Sequence, residues 1–459
     1  MNTVRDKRRS EPKGETRHWW VLAVVLAASV MDLLDSTVVN VAAPSISAEL
    51  GGGVAVVAWS SAGYTLAFGV LLVIGGRLGD RWGRRRLFLL GATGFTVASL
   101  GCGLAPTATV LILTRALQGA FGALLIPQGL GLLKAAFPPD RTGRAFAAFA
   151  PVMAIASVCG PLLAGLLIDL DLFGSGWRMI FLINLPIGVA TVAAGLRWLP
   201  GDRPDPTVHV DPIGAALLAL ASLLTIFPLI QGPRAGWPAW SVLTLGAAAA
   251  TFVGFWHRQR RAAHPIIVPT LFANRAYTAG LGFGVAFFAV VGGLLLVLPL
   301  FLQTVLHYSP LRAGLIGLPI SVGVAVASIL GRRFAGRRLI LGGAVAVSAG
   351  AVLLAAVVDH RTGALALLGP CLLIGLGMGS VFGPLYTVIL GSVGDRELGS
   401  ASGSLSAVVQ LASAFGVALL ITVYAQGAMV LSCLVAAALA LLGAGLALLF
   451  PTTLPGGRP

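Results

Sequence analysis

Charge is what this sequence has least of. Only 10% of its 459 residues are Asp, Glu, Lys or Arg, against about 25% in ordinary soluble domains. Acids are scarcer than bases, 16 against 31. The four cysteines, Cys102, Cys159, Cys371 and Cys433, all fall in apolar runs and show neither disulfide nor zinc spacing. The six histidines lie in tails and loops without a clustered ligand pattern. No metal site and no nucleophile–base constellation is visible. A GxxxxGK[ST] phosphate loop is also missing. The chain is therefore expected to be no enzyme, to hold no metal or cofactor, and to draw no energy directly from ATP.

What the sequence has instead is length in apolar runs. It is 57% hydrophobic, with mean hydropathy +0.93, and about 20 apolar residues suffice to cross a bilayer as a helix. Fourteen such runs occur, near 19–42, 56–76, 87–105, 107–131, 143–168, 178–199, 212–231, 239–257, 278–304, 313–331, 339–358, 364–390, 401–425 and 427–450. The first is too long, and too interrupted by acids, for a cleaved signal peptide. The pattern predicts an all-α polytopic membrane protein.

Charge placement tests that count, because basic residues concentrate in cytoplasmic loops. With the N-terminus inside, 26 of the 31 Lys and Arg fall on the inner side, including six in the tail "MNTVRDKRRSEPKGETR". Four fall outside (Arg178, Arg234, Arg312 and Arg361), and Arg115 lies within a span. The expectation is a multi-pass protein of the cell (inner or plasma) membrane with both termini cytoplasmic. Topology thereby accounts for the net charge of +15, and no nucleic-acid partner is implied. The basic tail can touch anionic lipid headgroups.

Transporter folds are often duplicated, and the chain contains an echo of itself. "GGRLGDRWGRRRLFLLG" (Gly75 to Gly91) follows the second run, and "GRRFAGRRLILGG" (Gly331 to Gly343) follows the tenth. Gly122 and Pro127 of the fourth run match Gly379 and Pro384 of the twelfth at the same offset. Runs one to six then correspond to nine to fourteen, with two inserted between. The predicted organisation is a basic tail at 1–18, a six-helix bundle at 19–200, two inserted helices at 201–262, a second six-helix bundle at 263–450, and a tail at 451–459.

On these residues the chain resembles the major facilitator superfamily, and within it the fourteen-span drug:proton antiporter family. "GGRLGDRWGRRR" is similar to the superfamily signature between spans two and three, with Gly76, Asp80, Arg81, Gly83 and Arg84 in matching places. "LDSTVVNVAAP" (Leu34 to Pro44) resembles the family's first-span signature. "LTRALQGAFGA" carries Arg115, Gln118, Gly119 and Gly122, and "WRMIFLINLPIG" is a further stretch typical of the family. The chain departs from the fifth-span signature at Ala156 and Ala164, but keeps Gly160, Pro161 and Gly165. It also lacks an acid in the cores of spans nine to fourteen, which argues against multivalent cations as cargo.

The resemblance implies alternating access between two bundles, coupled to protons, with a small-molecule substrate and a functional monomer. The residues supply the rest. Ser29, Asp32, Asp35, Ser36 and Asn40 fall within an arc of roughly 140° on a helix, and an intramembrane carboxylate faces a bundle interior or a water-filled cavity. Arg115 is its natural partner. Asp35 stands at the family position and is the expected principal proton carrier; Asp32 is the second candidate, for proton transfer or for a cationic substrate. A fixed salt bridge between Arg115 and one of these acids is the structural alternative. Asn40, Gln118, Trp59, Tyr64, Gln303 and Gln410, with Phe287, are candidate substrate contacts. The hairpin Gly76, Asp80, Arg81, Gly83 and Arg84 is read by resemblance as a conformational lock, its glycines allowing close approach and a tight reversal. Gly160, Pro161 and Gly165 are read as a hinge or a leak-proof seam. The expected function is proton-coupled export of amphipathic molecules. A carrier of a dedicated metabolite, a passive pore and a transport-dead sensor are the rivals.

Overall fold

Fifteen α-helices follow one another in the computed structural model, which describes residues 13–137, 139–202, 204–331, 336–359, 362–394, 397–426 and 429–450. They are α1 (Lys13–Leu50), α2 (Gly53–Trp82), α3 (Arg84–Gly103), α4 (Ala108–Ala136), α5 (Pro139–Leu170), α6 (Met179–Leu182), α7 (Asn184–Trp198), α8 (Pro212–Gln231), α9 (Ala239–Arg261), α10 (Arg275–Thr304), α11 (Pro310–Leu330), α12 (Arg337–Val357), α13 (Ala364–Gly391), α14 (Leu398–Tyr424) and α15 (Met429–Ala447). Thirteen helical segments are long and apolar enough to cross a membrane, with α6 and α7 forming one of them. The 32-residue α5 adds a fourteenth, its described apolar part being Cys159–Leu170. The predicted spans are recovered with two differences of outline. α1 extends well beyond 19–42 at both ends, because nothing breaks it before Gly51 and Gly52, whose φ of 72° and 79° suit only glycine well. The sixth span enters through short 3-10 turns before α6.

Local chemistry sets the starts of several helices. Thr107 caps α4 through the Val110 N–H, Asp211 caps α8 through Gly214, Asn274 caps α10, and Ser309 caps α11. Each satisfies an N–H that the first helical turn leaves free.

The packing partners repeat. In the first half α2 and α3 pack on α4, α1 packs on α5, and α7 packs on α1 and α3. In the second half α11 and α12 pack on α13, α10 on α14, and α15 on α10 and α12. Each of these pairings in one bundle has its counterpart in the other when α1 to α5 are matched in order to α10 to α14, and α7 to α15. The duplication suggested by two basic hairpins is thus present in the whole helix arrangement. The bundles meet where α2 faces α14, α5 faces α11 and α1 faces α10. α8 touches α2 and α14, while α9 lies outermost with only 17% of its apolar window buried. An apolar helix so little covered by protein faces lipid.

Candidate functional site: a buried charge cluster and the seam between bundles

The first question is where two aspartates in an apolar helix find partners. Asp35 is 1% exposed and so is Arg115. Arg115 Nη1 donates to Asp35 Oδ2 at 2.5 Å and to Gln118 Oε1 at 2.6 Å, and its Nε donates to the Ser60 carbonyl at 3.1 Å. The other carboxylate oxygen of Asp35 accepts from Gln118 Nε2 and from Asn184 Nδ2, each at 2.8 Å. Gln118 and Asn184 both also donate to Ser99 Oγ. One carboxylate ties α1, α4 and α7 together, and the two amides that it holds reach α3 through Ser99.

This is how a buried ion pair becomes tolerable: the desolvation of both charges is offset only when their remaining donors and acceptors are also satisfied. Cys102 joins the edge of the network, its thiol donating to Thr114 and Gln118. It is more than the apolar filler that its sequence setting suggests.

Asp32 lies one turn away and is less enclosed. Its Oδ1 accepts from the Tyr64 hydroxyl at 2.6 Å. The Tyr64 ring in turn lies against the Arg115 guanidinium, 4.2 Å from its carbon to the ring centroid. A side chain at Gly122 would strike Asp32 and Phe68, so that glycine makes room for the acid.

Asn40 turns to a different place. A cavity of ≈ 100 Å³ between the bundles is lined by Thr37 and Asn40 of α1, Pro161 of α5, Leu298 of α10, Ser321 of α11 and Phe382 of α13, among others. The Asn40 Oδ1 atom is buried there with no hydrogen-bond partner among the described residues. Small-molecule sites usually measure ~300–1,000 Å³, so the bundles must part to admit a drug-sized molecule.

The other predicted contacts lie elsewhere. Gln303 Nε2 donates to the Val41 carbonyl at 2.8 Å and so stitches α10 to α1. Trp59 stands beside Phe227 of α8, 6.2 Å between rings. Gln410 packs against Gly69 of α2. Phe287 is buried among Phe283, Phe288 and Phe382. Asn184, which sequence reasoning passed over, belongs to the site; a lone amide within the sixth run was the signal for it.

The α5–α11 seam is made of backbone. A Cβ at Gly165 would come within 2.5 Å of the Leu311 Cα, and one at Gly314 within 2.6 Å of the Pro161 carbonyl. Gly160 likewise sits against Thr37 of α1. All three predicted residues of the fifth span lie at close contacts. Asp169 Oδ2 accepts from Ser309 Oγ at 2.9 Å at the same end.

At the opposite, basic end stands the hairpin between α2 and α3. Arg84 forks onto Asp80 Oδ1, at 3.0 Å from Nε and 2.8 Å from Nη2. Gly83 has φ 97° and makes the reversal. Gly76 has nothing near its would-be Cβ; the close approaches to α4 are made by Gly75, against the Ala123 carbonyl, and Gly79, against Gln128. The helix phase puts the first of the paired glycines inward and the second out. The hairpin's partners are the chain segments flanking α8 and α9. Asp202 accepts from the Arg84 backbone N–H, the Asp205 N–H donates to the Asp80 carbonyl, Arg81 reaches Val208, and Arg77 reaches Pro265.

Asp80→Ala releases Arg84 from a pair whose side chains are 38% and 44% exposed. Such pairs contribute ~0–1 kcal/mol. On the lock reading that the resemblance implies, the expected result is at most about a fivefold change in the ratio of two access states, read by cysteine labelling from each face.

A two-bundle helical architecture with a charged cluster in one bundle and a cavity between the two defines a membrane carrier. The family model of the Major Facilitator Superfamily matches residues 25–417, and the chain belongs to that superfamily. It is 44% identical over 431 residues, covering 91% of this chain and 74% of the other, to a probable actinorhodin transporter of Streptomyces coelicolor. It is 37% identical to a puromycin resistance protein of Streptomyces alboniger, covering 89% of this chain and 82% of that one. Among solved structures, a POT family peptide transporter superposes with TM-score 0.68 at 16% identity, covering 96% of this chain and 98% of that one. The inward-open Escherichia coli xylose transporter XylE superposes with TM-score 0.66 at 14% identity, covering 95% and 97%. Superposition at that identity establishes the fold. The chain is a multi-pass transporter of small molecules and not an enzyme.

Proposed function

We propose that this carrier exports amphipathic antibiotic-like molecules across the cell membrane in exchange for protons. The observation that carries the reading is the acid-bearing α1, whose Asp32 and Asp35 meet Tyr64, Arg115, Gln118 and Asn184 inside the first bundle. Intramembrane acids mark proton relays. The relatives named for actinorhodin, puromycin, tetracenomycin C and multidrug resistance support the cargo class. In this reading the basic end faces the cytoplasm and the α5–α11 contacts close the outer side. Cargo enters the cavity beside Asn40 when the bundles part at the basic end. Protons enter the α1 acids from outside after the seam opens.

Everted vesicles with an acid interior, reported by a quenched acridine dye, test this. Addition of puromycin or ethidium should dequench the dye through the wild-type carrier. Absence of any response across a panel of such compounds would move the reading to a dedicated metabolite carrier on the same scaffold.

The cavity supports a second statement about cargo. Its walls are apolar and its unpaired group is an acceptor, so it suits a lipophilic molecule bearing a hydrogen-bond donor. A buried acceptor without a partner costs roughly 1–3 kcal/mol. Asn40→Leu should therefore raise the melting temperature of the empty carrier while reducing transport several-fold. Parallel thermal melts and efflux assays check both signs.

A further inference from the structure

The two acids of α1 are not equivalent, and the difference lies in which can accept a proton without dismantling its surroundings. Asp35 already carries three donors on two oxygens: Arg115 on Oδ2, and Gln118 and Asn184 on Oδ1. A proton added to Oδ2 would face the Arg115 N–H. One added to Oδ1 would face two amide N–H groups. Either way a buried donor loses its acceptor, and Arg115, itself 1% exposed, is left as a cation without its anion. Breaking a buried pair in that manner is strongly destabilising, because it leaves an uncompensated buried charge.

Asp32 differs in every respect. It is half-buried, and its only hydrogen bond among the described residues runs from the Tyr64 hydroxyl to Oδ1. Among the described residues Oδ2 has no donor, which leaves it open to form an O–H bond. The Tyr64 bond survives that change, because a neutral carboxyl keeps a carbonyl oxygen that accepts. Among the described residues, the charged and titratable groups facing Asp32 are Tyr64 on α2, Arg115 on α4 and Asp35 on its own helix. The single cation in that set is already bound to Asp35, so Asp32 has no counterion to hold it ionised.

We infer that Asp32 is the carboxyl that loads and unloads the transported proton, whereas Asp35 stays ionised and, with Arg115, positions the helices around it. Tyr64 is the positioning residue between the two, with its hydroxyl on Asp32 and its ring on Arg115. The proton arrives from water at one face, forms the O–H bond at Asp32, and leaves to water at the other face. No electrons move and nothing else is consumed. This deepens the proton-exchange reading above and rests on it.

The test uses purified full-length carrier reconstituted in liposomes, with ethidium and puromycin as probes, beside infrared difference spectra of the protonated carboxyl band across a pH titration. Asp32→Asn should keep saturable ethidium binding, lose gradient-driven exchange at least tenfold, and remove the titrating carboxyl band. Asp35→Asn with Arg115→Gln, which deletes both charges together and so protects the fold, should keep that band. Tyr64→Phe should displace the pH midpoint of the band without abolishing it. The inference is overturned if Asp32→Asn exchanges like the wild type, or if the band persists in Asp32→Asn and vanishes in the paired variant. A wild type that shows the Asp32 band but exchanges no proton for either probe would sink the antiport reading and leave the assignment of the titrating group in place.

Discussion

Arg115→Gln should be the most damaging single substitution in the first bundle. It leaves the Asp35 carboxylate buried with two amide donors and no cation, at a cost of about 3–5 kcal/mol. The expected result is a carrier that melts far below the wild type in detergent and loses transport, or that does not accumulate at all. Asp35→Asn should be nearly as harmful for the converse reason, since it strands a guanidinium that also packs on Tyr64 and Phe181. The paired variant, Asp35→Asn with Arg115→Gln, should recover most of the lost stability, because both desolvation penalties disappear with the charges. A double-mutant cycle on melting or denaturant midpoints measures the coupling directly. Additive losses would mean that the two groups do not act as an ion pair in the folded carrier.

The second large effect belongs to the seam. At Gly165 an added side chain meets the Leu311 Cα and the Pro310 carbonyl, both backbone atoms. A flexible side chain can rotate away from an intruder, but a helix backbone cannot, so relief requires α5 and α11 to separate. Overpacking of this kind costs roughly 1–3 kcal/mol, which is about a 5- to 150-fold change in a two-state ratio at 1.4 kcal/mol per tenfold. Gly165→Leu should therefore fold and bind but favour the state open at that end, with turnover falling by a similar factor. Gly314→Leu meets the Pro161 carbonyl and should give the same phenotype from the opposite bundle. A Thr37→Cys reporter in a Cys159→Ala background, labelled from the outer face, reads the shift. Unchanged labelling and turnover in both variants would show that the seam does not gate access.

The legibility of these features in the sequence follows their energetics. The spans are legible, and so is a pairing of Arg115 with one of the two α1 acids, because a charge in an apolar run has very few tolerable fates and only one intramembrane cation is on offer. That Asp35 is the partner takes the structure. Asn184 was not visible in the same way. An amide in a helix is cheap enough to sit in many settings, and only the three-dimensional meeting of α1, α4 and α7 reveals that it completes the carboxylate's shell. Helix phase accounts for other differences. One residue is about 100° of rotation, so Gly75 touches α4 while Gly76 beside it faces open space. Trp59 and Gln303 share the polarity of cavity residues, yet Trp59 faces α8 and Gln303 is spent on the Val41 carbonyl. Polarity alone could not distinguish them from Asn40, which does reach the cavity. The duplication was faint in the hairpins because matched bundles need equivalent packing pairs and not equal side chains.

The backbone-on-backbone contact between α5 and α11 has a further consequence. On the proton-exchange reading proposed above, any chain of water molecules that joins the two compartments would waste the gradient. Where Gly165 lies on Leu311 and Gly314 on Pro161, no water can enter, for a water needs a polar space of its own with partners to hold it. Longer side chains at these points would leave gaps between mobile tips as they moved. Two smooth helix faces pressed together act instead as electrical insulation, and the glycines set how thin that insulation can be.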